Sequence, residues 1–140
     1  MTHKRINSNL IPKRMLSQDP FSQWLGVEII EVEKGRCKVG MTVRKEMLNS
    51  MGKAHGGISY SLADTAFGFS ANTHGKYAVS IETSINHIEA LEEGDYITAE
   101  AVTDIVKTRV GFNIVEVKRG EDIVALFKGV VYRTSKDWEE

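Results

Sequence analysis

The spacing of apolar residues changes once along the chain, and this change separates a helical part from a strand part. Between Ile58 and Phe69 apolar residues recur every three or four positions, which predicts one helix that begins at about His55 and ends within residues 72–75. Further apolar residues lie beside this stripe, so we expect the helix to be largely buried. From residue 76 onward apolar and polar residues alternate, which is typical of strands.

The strand part divides into four segments at short joins rich in charged residues and glycine. These segments are residues 76–88, 95–107, 109–119 and 122–134. Parallel neighbours need a crossover of about a dozen residues, and the joins are shorter than that. The four segments therefore predict an antiparallel meander.

A short helix and a hairpin are predicted before the long helix. Asp19 is suited to cap a helix that starts at Pro20 and stops at Gly26. Residues 27–43 then alternate around the turn Lys34-Gly35, which indicates two paired strands. The order of elements predicts an α+β fold, with one antiparallel sheet wrapped around one central helix.

The bulk composition is that of one ordinary globular domain, with 140 residues, 41% hydrophobic and 26% charged. We divide the chain into an N-terminal extension, frayed or docked, over residues 1–18, a domain over residues 19–135 and a C-terminal tail over residues 136–140. Eighteen Lys and Arg against nineteen Asp and Glu leave a net charge of −1, which disfavours nucleic acid and anionic membranes as partners.

The single cysteine, Cys37, rules out a disulfide within the chain and favours a cytoplasmic location. Cys37, His74 and His87 have no partners at ligand spacing, so we expect no metal site. No apolar run reaches the ~20 residues of a membrane span.

Candidate chemistry is concentrated in residues 48–67, LNSMGKAHGGISYSLADTAF. Unpaired N–H groups at the start of the long helix, near Gly56, are suited to polarise a carbonyl group or to hold an oxyanion, although two glycines also fit a tight turn. Asp64 lies inside an otherwise apolar helix. It is either a general base or nucleophile at a cleft, or a cap on a neighbouring loop.

Gly56 and Asp64 are too far apart on one helix to act on the same carbonyl group. Eight residues at ~1.5 Å each separate them by ~12 Å, whereas a donor and a base must both lie within ~3 to 4 Å of the reacting atoms. A two-fold homodimer, in which Gly56 of one chain faces Asp64 of the other, satisfies both requirements.

Three further residues are weaker candidates. Asn49 either donates its amide to the substrate or forms a turn, and His55 acts as a base or, as we favour, as a positioning group. Ser80 belongs to a polar row on a strand, which is normally a solvent-facing row.

The segments LN, HGG and LADTAF closely resemble the hotdog-fold acyl-CoA thioesterases of the phenylacetate-pathway type, a family that includes 4-hydroxybenzoyl-CoA thioesterases; the likeness covers about residues 20–134. The resemblance implies a hotdog fold, in which an antiparallel sheet wraps one long helix. It also implies that Gly56 N–H polarises the thioester carbonyl, with His55 and Asn49 nearby. Asp64 of the partner chain matches the catalytic carboxylate, and Ser80 matches a hydroxyl that helps to hold the attacking water.

The segment HIEAL, residues 87–91, departs from the family, whose members often have Arg-Pro where this chain has Glu89 and Ala90. Because Glu89 does not attract CoA phosphates, we assign the phosphates to other cations, such as Lys107, Arg109 or Lys128.

The family likeness predicts hydrolysis of an aromatic (phenylacetyl-type) or medium-chain acyl-CoA by a homotetramer built from dimers, with no cofactor beyond the CoA of the substrate. The alternatives are a hotdog hydratase or dehydratase that uses His55 and Asp64, and a non-catalytic domain that binds acyl thioesters.

Overall fold

A computed structural model describes residues 4–140, which form one six-stranded antiparallel sheet around one long helix. The described residues contain three α-helices, namely α1 (Ile11–Ser17), α2 (Pro20–Leu25) and the long α3 (Gly56–Asn72). The strands are β1 (Glu28–Glu33), β2 (Arg36–Thr42), β3 (Lys76–His87), β4 (Tyr96–Val106), β5 (Val110–Arg119) and β6 (Asp122–Asp137). Short 3-10 turns occur at Ser8–Leu10 and Lys45–Met47. The predicted α+β fold and the position of each predicted element are confirmed.

The first helices form for the reasons that the sequence indicates. Asp19 caps α2, because its carboxylate accepts the backbone N–H of Ser22, and Gly26 ends the helix with a φ of 79°. Ile11, in α1, is fully buried. Residues 1–3 of the predicted N-terminal extension lie outside the described residues, and β6 extends to Asp137, two residues past the predicted end of the domain at residue 135.

The order of strands in the sheet is β1-β2-β4-β5-β6-β3. The predicted meander is correct for β4, β5 and β6, but the expectation that β3 continues it is wrong, because β3 pairs with β6. Residues 88–95 cross from one side of the curled sheet to the other, past the start of α3. Two backbone hydrogen bonds hold this segment in place: the Ile88 N–H donates to the Val124 carbonyl, and the Ala54 N–H donates to the Leu91 carbonyl. The sheet consequently has two edge strands, β1 and β3.

The core lies between α3 and the concave face of the sheet, as the apolar spacing predicts. Phe67 of α3 is fully buried and packs against Phe127 of β6, with ring centroids 5.6 Å apart. Gly129 allows this close approach, because a Cβ atom there would lie 2.5 Å from Cζ of Phe67.

A β-bulge in β3 changes which residues share a face. Ser80 pairs with Val131 and Glu82 pairs with Val130, so Ile81 is an extra residue. Val131 is buried against the core, and paired residues project to the same face. The expected polar row is therefore wrong for Ser80, which lies on the α3 side of the sheet, whereas Glu82 lies on the outer side.

The longest helix of residues 4–140 is α3, with 17 residues, and none of the described helices is both long and apolar enough to cross a membrane.

Candidate active site

An open cleft of 360 Å³ lies at the N-terminus of α3 and brings together three of the predicted residues. We call it the Gly56 cleft. The predicted residues in it are Asn49, His55 and Gly56. Its other walls are Met51, Lys53, Ala54, Ser59, His87, Ile88, Glu89, Ala90 and Leu91. The crossing segment between β3 and β4 thus forms one side of the cleft, and the start of α3 forms the other.

The N-terminal cap of α3 leaves one N–H group available. His55 is the N-cap residue, and its Nδ1 accepts the Gly57 N–H at 3.0 Å. The Ile58 N–H donates to the His55 carbonyl at 2.9 Å. Gly56 N–H has no acceptor among residues 4–140. The predicted group of unpaired N–H donors therefore narrows to Gly56, where the positive end of the helix dipole favours a partial negative charge.

Asn49 shapes the loop that faces this donor. Its Oδ1 atom accepts hydrogen bonds from the N–H groups of Met51 and Lys53, at 2.9 and 3.1 Å. The oxygen of the Asn49 side chain therefore stabilises the turn, as the turn-forming alternative expects. The Nδ2 group has no acceptor within the described part of the chain. Asn49 therefore has a fixed orientation, and both N–H groups of its amide are left for a bound molecule.

Asp64 lies in a second cleft, of 300 Å³, which we call the Asp64 cleft. Its walls are Met15, Asp19, Phe21, Ser22, Ser61, Asp64, Thr65, Gly68 and Phe69. The Asp64 carboxylate is half-buried and accepts no hydrogen bond from any residue between 4 and 140, which contradicts the alternative that it caps a loop. Burial, and to a smaller extent the charge of Asp19, raise the pKa of Asp64 above its ordinary value.

Gly56 and Asp64 remain apart within one chain. They lie on the same helix and line different clefts that have no residue in common. The helical rise separates them by ~12 Å along the axis. Within one chain, Gly56 and Asp64 therefore cannot both contact the same substrate carbonyl group.

The other predicted residues lie away from the Gly56 cleft. Ser80 is exposed on the edge strand β3. Lys107 and Arg109 are in the β4–β5 turn, at the end of the sheet where α3 ends, and Arg133 donates to the Lys107 carbonyl at 2.6 Å. Lys128 lines a third cleft, on the outer face of the sheet. A single chain does not bring these three cations to the Gly56 cleft.

Two cations near the Gly56 cleft are ion-paired. Lys53 pairs with Glu92, and Arg119 pairs with Glu89 at 3.0 Å and with Asp95 at 3.0 Å. Glu89, which marks the departure from the family pattern, therefore has a partner within its own chain.

Sequence reasoning missed Ser59 and His87 as parts of this cleft. The Nδ1 atom of His87 lies 3.3 Å from the Ser59 hydroxyl, and the ring lies over Gly56. The only signal in the sequence is a histidine at the predicted end of a strand, because its nearness to α3 depends on the pairing of β3 with β6.

No group of three metal-binding side chains is found in the described residues 4–140. Cys37 is fully buried, and burial raises the pKa of its thiol to about 12.

Comparison with known proteins gives consistent results. Residues 51–126 match the model of the thioesterase superfamily. The chain is 40% identical to a putative esterase of Archaeoglobus fulgidus, over 89% of this chain and 81% of that protein. It is 36% identical to the acyl-coenzyme A thioesterase PaaI of Escherichia coli, over 85% of this chain and 86% of that protein.

The solved structure of the E. coli PaaI protein from the phenylacetic acid degradation operon superposes with a TM-score of 0.91, at 32% identity, over 94% of this chain and 96% of that one. The predicted hotdog fold is thereby confirmed. From the fold, the two clefts and these similarities, we conclude that the chain belongs to the thioesterase superfamily and is a hotdog-fold thioesterase of the phenylacetate-pathway type.

Proposed function

We propose that this protein hydrolyses acyl-CoA thioesters to a free carboxylic acid and CoA. The observation that carries the proposal is the state of Asp64, a half-buried carboxylate with a raised pKa and no hydrogen-bond donor among residues 4–140. A carboxylate left unpaired in a cleft is costly to the fold, and such groups cluster at functional sites. Similarity to a protein named as an acyl-coenzyme A thioesterase supports the substrate class.

Gly56 provides the electrophilic side of the reaction. Its free N–H donates a hydrogen bond to the thioester carbonyl oxygen, and this bond strengthens as the oxygen acquires negative charge in the tetrahedral intermediate. The absence of a side chain at residue 56 allows the carbonyl group to approach the backbone. Asn49 Nδ2 is a further donor in the same cleft.

Asp64 of the partner chain provides the attacking group by one of two routes. As a general base it takes a proton from water, whose oxygen then bonds to the carbonyl carbon. As a nucleophile it forms an acyl anhydride, which water cleaves in a second step. In both routes the C–S bond breaks and CoA leaves as the thiolate. A single turnover in H₂¹⁸O labels the Asp64 carboxylate only by the anhydride route.

The dimer that this mechanism needs has a suitable edge in β3. This strand is 12 residues long and is paired on one side only, to β6. Val79 and Ile81 are 53% and 59% exposed on it, which is typical of an edge that a second chain covers. Ser80 lies between them, so pairing of two β3 strands brings its hydroxyl to the interface, where it helps to hold the water.

Catalysis by Asp64 is tested by thiol release from a panel of aromatic and aliphatic acyl-CoAs. Asp64→Asn removes the carboxylate, and we expect kcat to fall by at least ~10²-fold. The matched control is Asp19→Asn, in the same cleft, because asparagine caps a helix as well as aspartate does. The proposal fails if the wild type cleaves none of the panel, or if Asp64→Asn keeps the rate of Asp19→Asn.

The shared site is tested with mixed dimers. A chain with Gly56→Pro and a chain with Asp64→Asn are co-expressed with different tags, so that about half of the dimers contain one chain of each kind. Each mixed dimer then has one site with both groups intact and one with neither. We expect the mixture to recover about a quarter of wild-type activity, whereas a site contained within one chain gives no recovery.

The tetramer and the CoA cations remain part of the proposal. The outer face of the sheet carries exposed apolar residues suited to contact between dimers, namely Val102, Ile105, Phe112, Ile114 and Leu126. Lys107, Arg109 and Lys128 bind the CoA phosphates only where a second chain brings them to a Gly56 cleft. Light scattering of the protein tests the tetramer. The CoA cations are tested by comparing KM for CoA thioesters with KM for pantetheine thioesters in the three Lys/Arg→Ala variants.

A further inference from the structure

A further cleft, of 320 Å³, lies between the Gly56 cleft and the Asp64 cleft, and we call it the aromatic cleft. It shares His55 with the Gly56 cleft, and it shares Phe21 and Ser61 with the Asp64 cleft. Each site of the proposed dimer combines Gly56 of one chain with Asp64 of the other. Both chains therefore bring an aromatic cleft to the border of the site.

The walls of the aromatic cleft are mainly apolar, and two of them are exposed aromatic rings. Met47 and Ile58 form its buried part, at 2% and 8% exposed, and Leu48 is half-buried. Phe21 and Trp24 are 54% and 48% exposed. Apolar surface that is exposed beside a polar reaction centre is typical of a ligand pocket.

The polar side chains of this cleft have hydrogen-bond partners within the chain. The Ser61 hydroxyl donates to the Gly57 carbonyl at 2.6 Å, and His55 Nδ1 accepts the Gly57 N–H at 3.0 Å. The Glu46 carboxylate accepts from Arg44 Nε at 2.7 Å. An apolar group that enters the cleft therefore does not have to replace these hydrogen bonds.

The ring of Trp24 is held in place although it is not buried. Phe21 stacks on it, with ring centroids 6.1 Å apart and an interplanar angle of 28°. The Arg44 guanidinium lies 5.1 Å from the centroid of the Trp24 ring, and it donates to the Trp24 and Leu25 carbonyls at 2.6 and 3.2 Å. These contacts stabilise both the ring and the end of α2. A ligand that packs on a wall held in this way costs little side-chain entropy.

We propose that the aromatic cleft binds the acyl group of the thioester, and that Phe21 and Trp24 select an aromatic acyl group such as phenylacetyl. This proposal rests on the proposed function and names its substrate class. An aryl ring in the cleft packs on the two side chains in an offset or edge-to-face arrangement, which a straight alkyl chain cannot do. Each aromatic contact favours the aryl substrate by ~2- to 10-fold.

Substrate preference of Trp24 variants tests this selection. The quantity is the ratio of kcat/KM for phenylacetyl-CoA to kcat/KM for the straight-chain acyl-CoA with the same number of carbon atoms. Trp24→Leu keeps an apolar side chain without a ring, and we expect the ratio to fall by ~5-fold, whereas Trp24→Phe keeps a ring and most of the preference. The matched control is Ile30→Ala, which removes an apolar side chain that is 43% exposed on β1 and lines none of the three clefts.

Fluorescence of Trp24 tests direct contact with the acyl group. The chain has two tryptophans, so Trp24 is the only one in the variant Asp64→Asn/Trp138→Phe, which is expected not to hydrolyse the bound ligand. We expect saturating phenylacetyl-CoA to shift the Trp24 emission to shorter wavelength than CoA does, because the aryl ring excludes water from the indole. This measurement keeps Trp24 and does not depend on the folding of a Trp24 variant.

The outcomes separate this proposal from the proposed function. An unchanged substrate ratio in Trp24→Leu, or a Trp24 emission that phenylacetyl-CoA and CoA alter equally, overturns the assignment of the aromatic cleft. A lower mass of Trp24→Leu in light scattering, with an unchanged ratio, shows that a second chain covers the cleft and overturns it as well. A wild type that cleaves no acyl-CoA overturns the proposed function instead.

Discussion

Replacement of Gly56 by proline removes the backbone N–H to which we assign polarisation of the thioester carbonyl, and it leaves the helix intact. Residue 56 is the first residue of α3, where proline is favoured, and its N–H has no acceptor among residues 4–140. The preceding residue, His55, already has a ψ of 139°, which is the conformation that a following proline requires. Proline also places a carbon atom where the N–H proton was.

The size of the effect follows from the number of donors in the cleft. Loss of one oxyanion donor corresponds to ~2.7 to 4 kcal/mol, or ~10² to 10³ in kcat. Stability is expected to change by less than ~1 kcal/mol, because the entropy gain of a compatible proline offsets the tight contact of its Cβ with the ring of His87. Gly56→Ala adds the same Cβ atom and keeps the N–H, so the ratio of the two variants isolates the donor.

The assay is kcat for CoA release, measured for wild type, Gly56→Ala and Gly56→Pro, with urea unfolding of each. We expect Gly56→Pro to be at least ~10²-fold slower than Gly56→Ala at equal stability. If the two variants have kcat values within threefold of each other, the Gly56 N–H does not polarise the carbonyl, and the reasoning from the free helix N-terminus is refuted.

Four further predictions follow from burial. The raised pKa of Asp64 means that ionisation of its carboxylate destabilises the folded protein. Asp64→Asn is therefore expected to raise the Tm near pH 7, and this gain is expected to disappear as the pH falls below the pKa of Asp64. An equal Tm gain at acidic and neutral pH contradicts this. The same group must be ionised to act, so log(kcat/KM) is expected to rise with pH until Asp64 is ionised and then to level off. Cys37, whose pKa is raised to about 12, is expected to resist a thiol reagent at pH 8 in the folded protein and to react in denaturant; rapid reaction of the folded protein contradicts its burial. Gly129→Ala forces a methyl group against Phe67 and is expected to destabilise the fold by ~1 to 3 kcal/mol in urea unfolding, and unchanged stability would show that the ring can move.

The elements of the fold are predictable from sequence because each depends on local chemistry. The spacing of Ile58, Leu62 and Ala66 on α3 and the turn at Lys34-Gly35 are confirmed at the predicted positions. The partner of β3 is not predictable in this way, because alternation of apolar and polar residues indicates that a segment is a strand and carries no information about its neighbour. The join after β3, residues 88–95, is longer than the joins 107–109 and 120–121, and of these three joins only the two shorter ones connect neighbouring strands.

Residues of the candidate site could be proposed from the sequence where one residue type has a distinct chemical reason to be present. Asp64 is anomalous in an apolar helix, and the structure leaves it without a hydrogen-bond donor in the described residues. His87 escaped prediction, because a histidine at a strand end becomes significant only when β6 brings it to the start of α3. Ser80 was assigned to the wrong face, because a bulge of one residue reverses the alternation and leaves little trace in the sequence.

The cap formed by His55 also bears on product release. Because His55 Nδ1 occupies the Gly57 N–H, the backbone at the helix start offers one donor to a ligand rather than an adjacent pair. A carboxylate is held most tightly by two parallel donors, one for each oxygen. The acid produced by hydrolysis therefore lacks a backbone fork to bind it, and in the proposed dimer it carries the same charge as the partner's Asp64. We expect a carboxylic acid product to inhibit this enzyme weakly and to leave the cleft quickly.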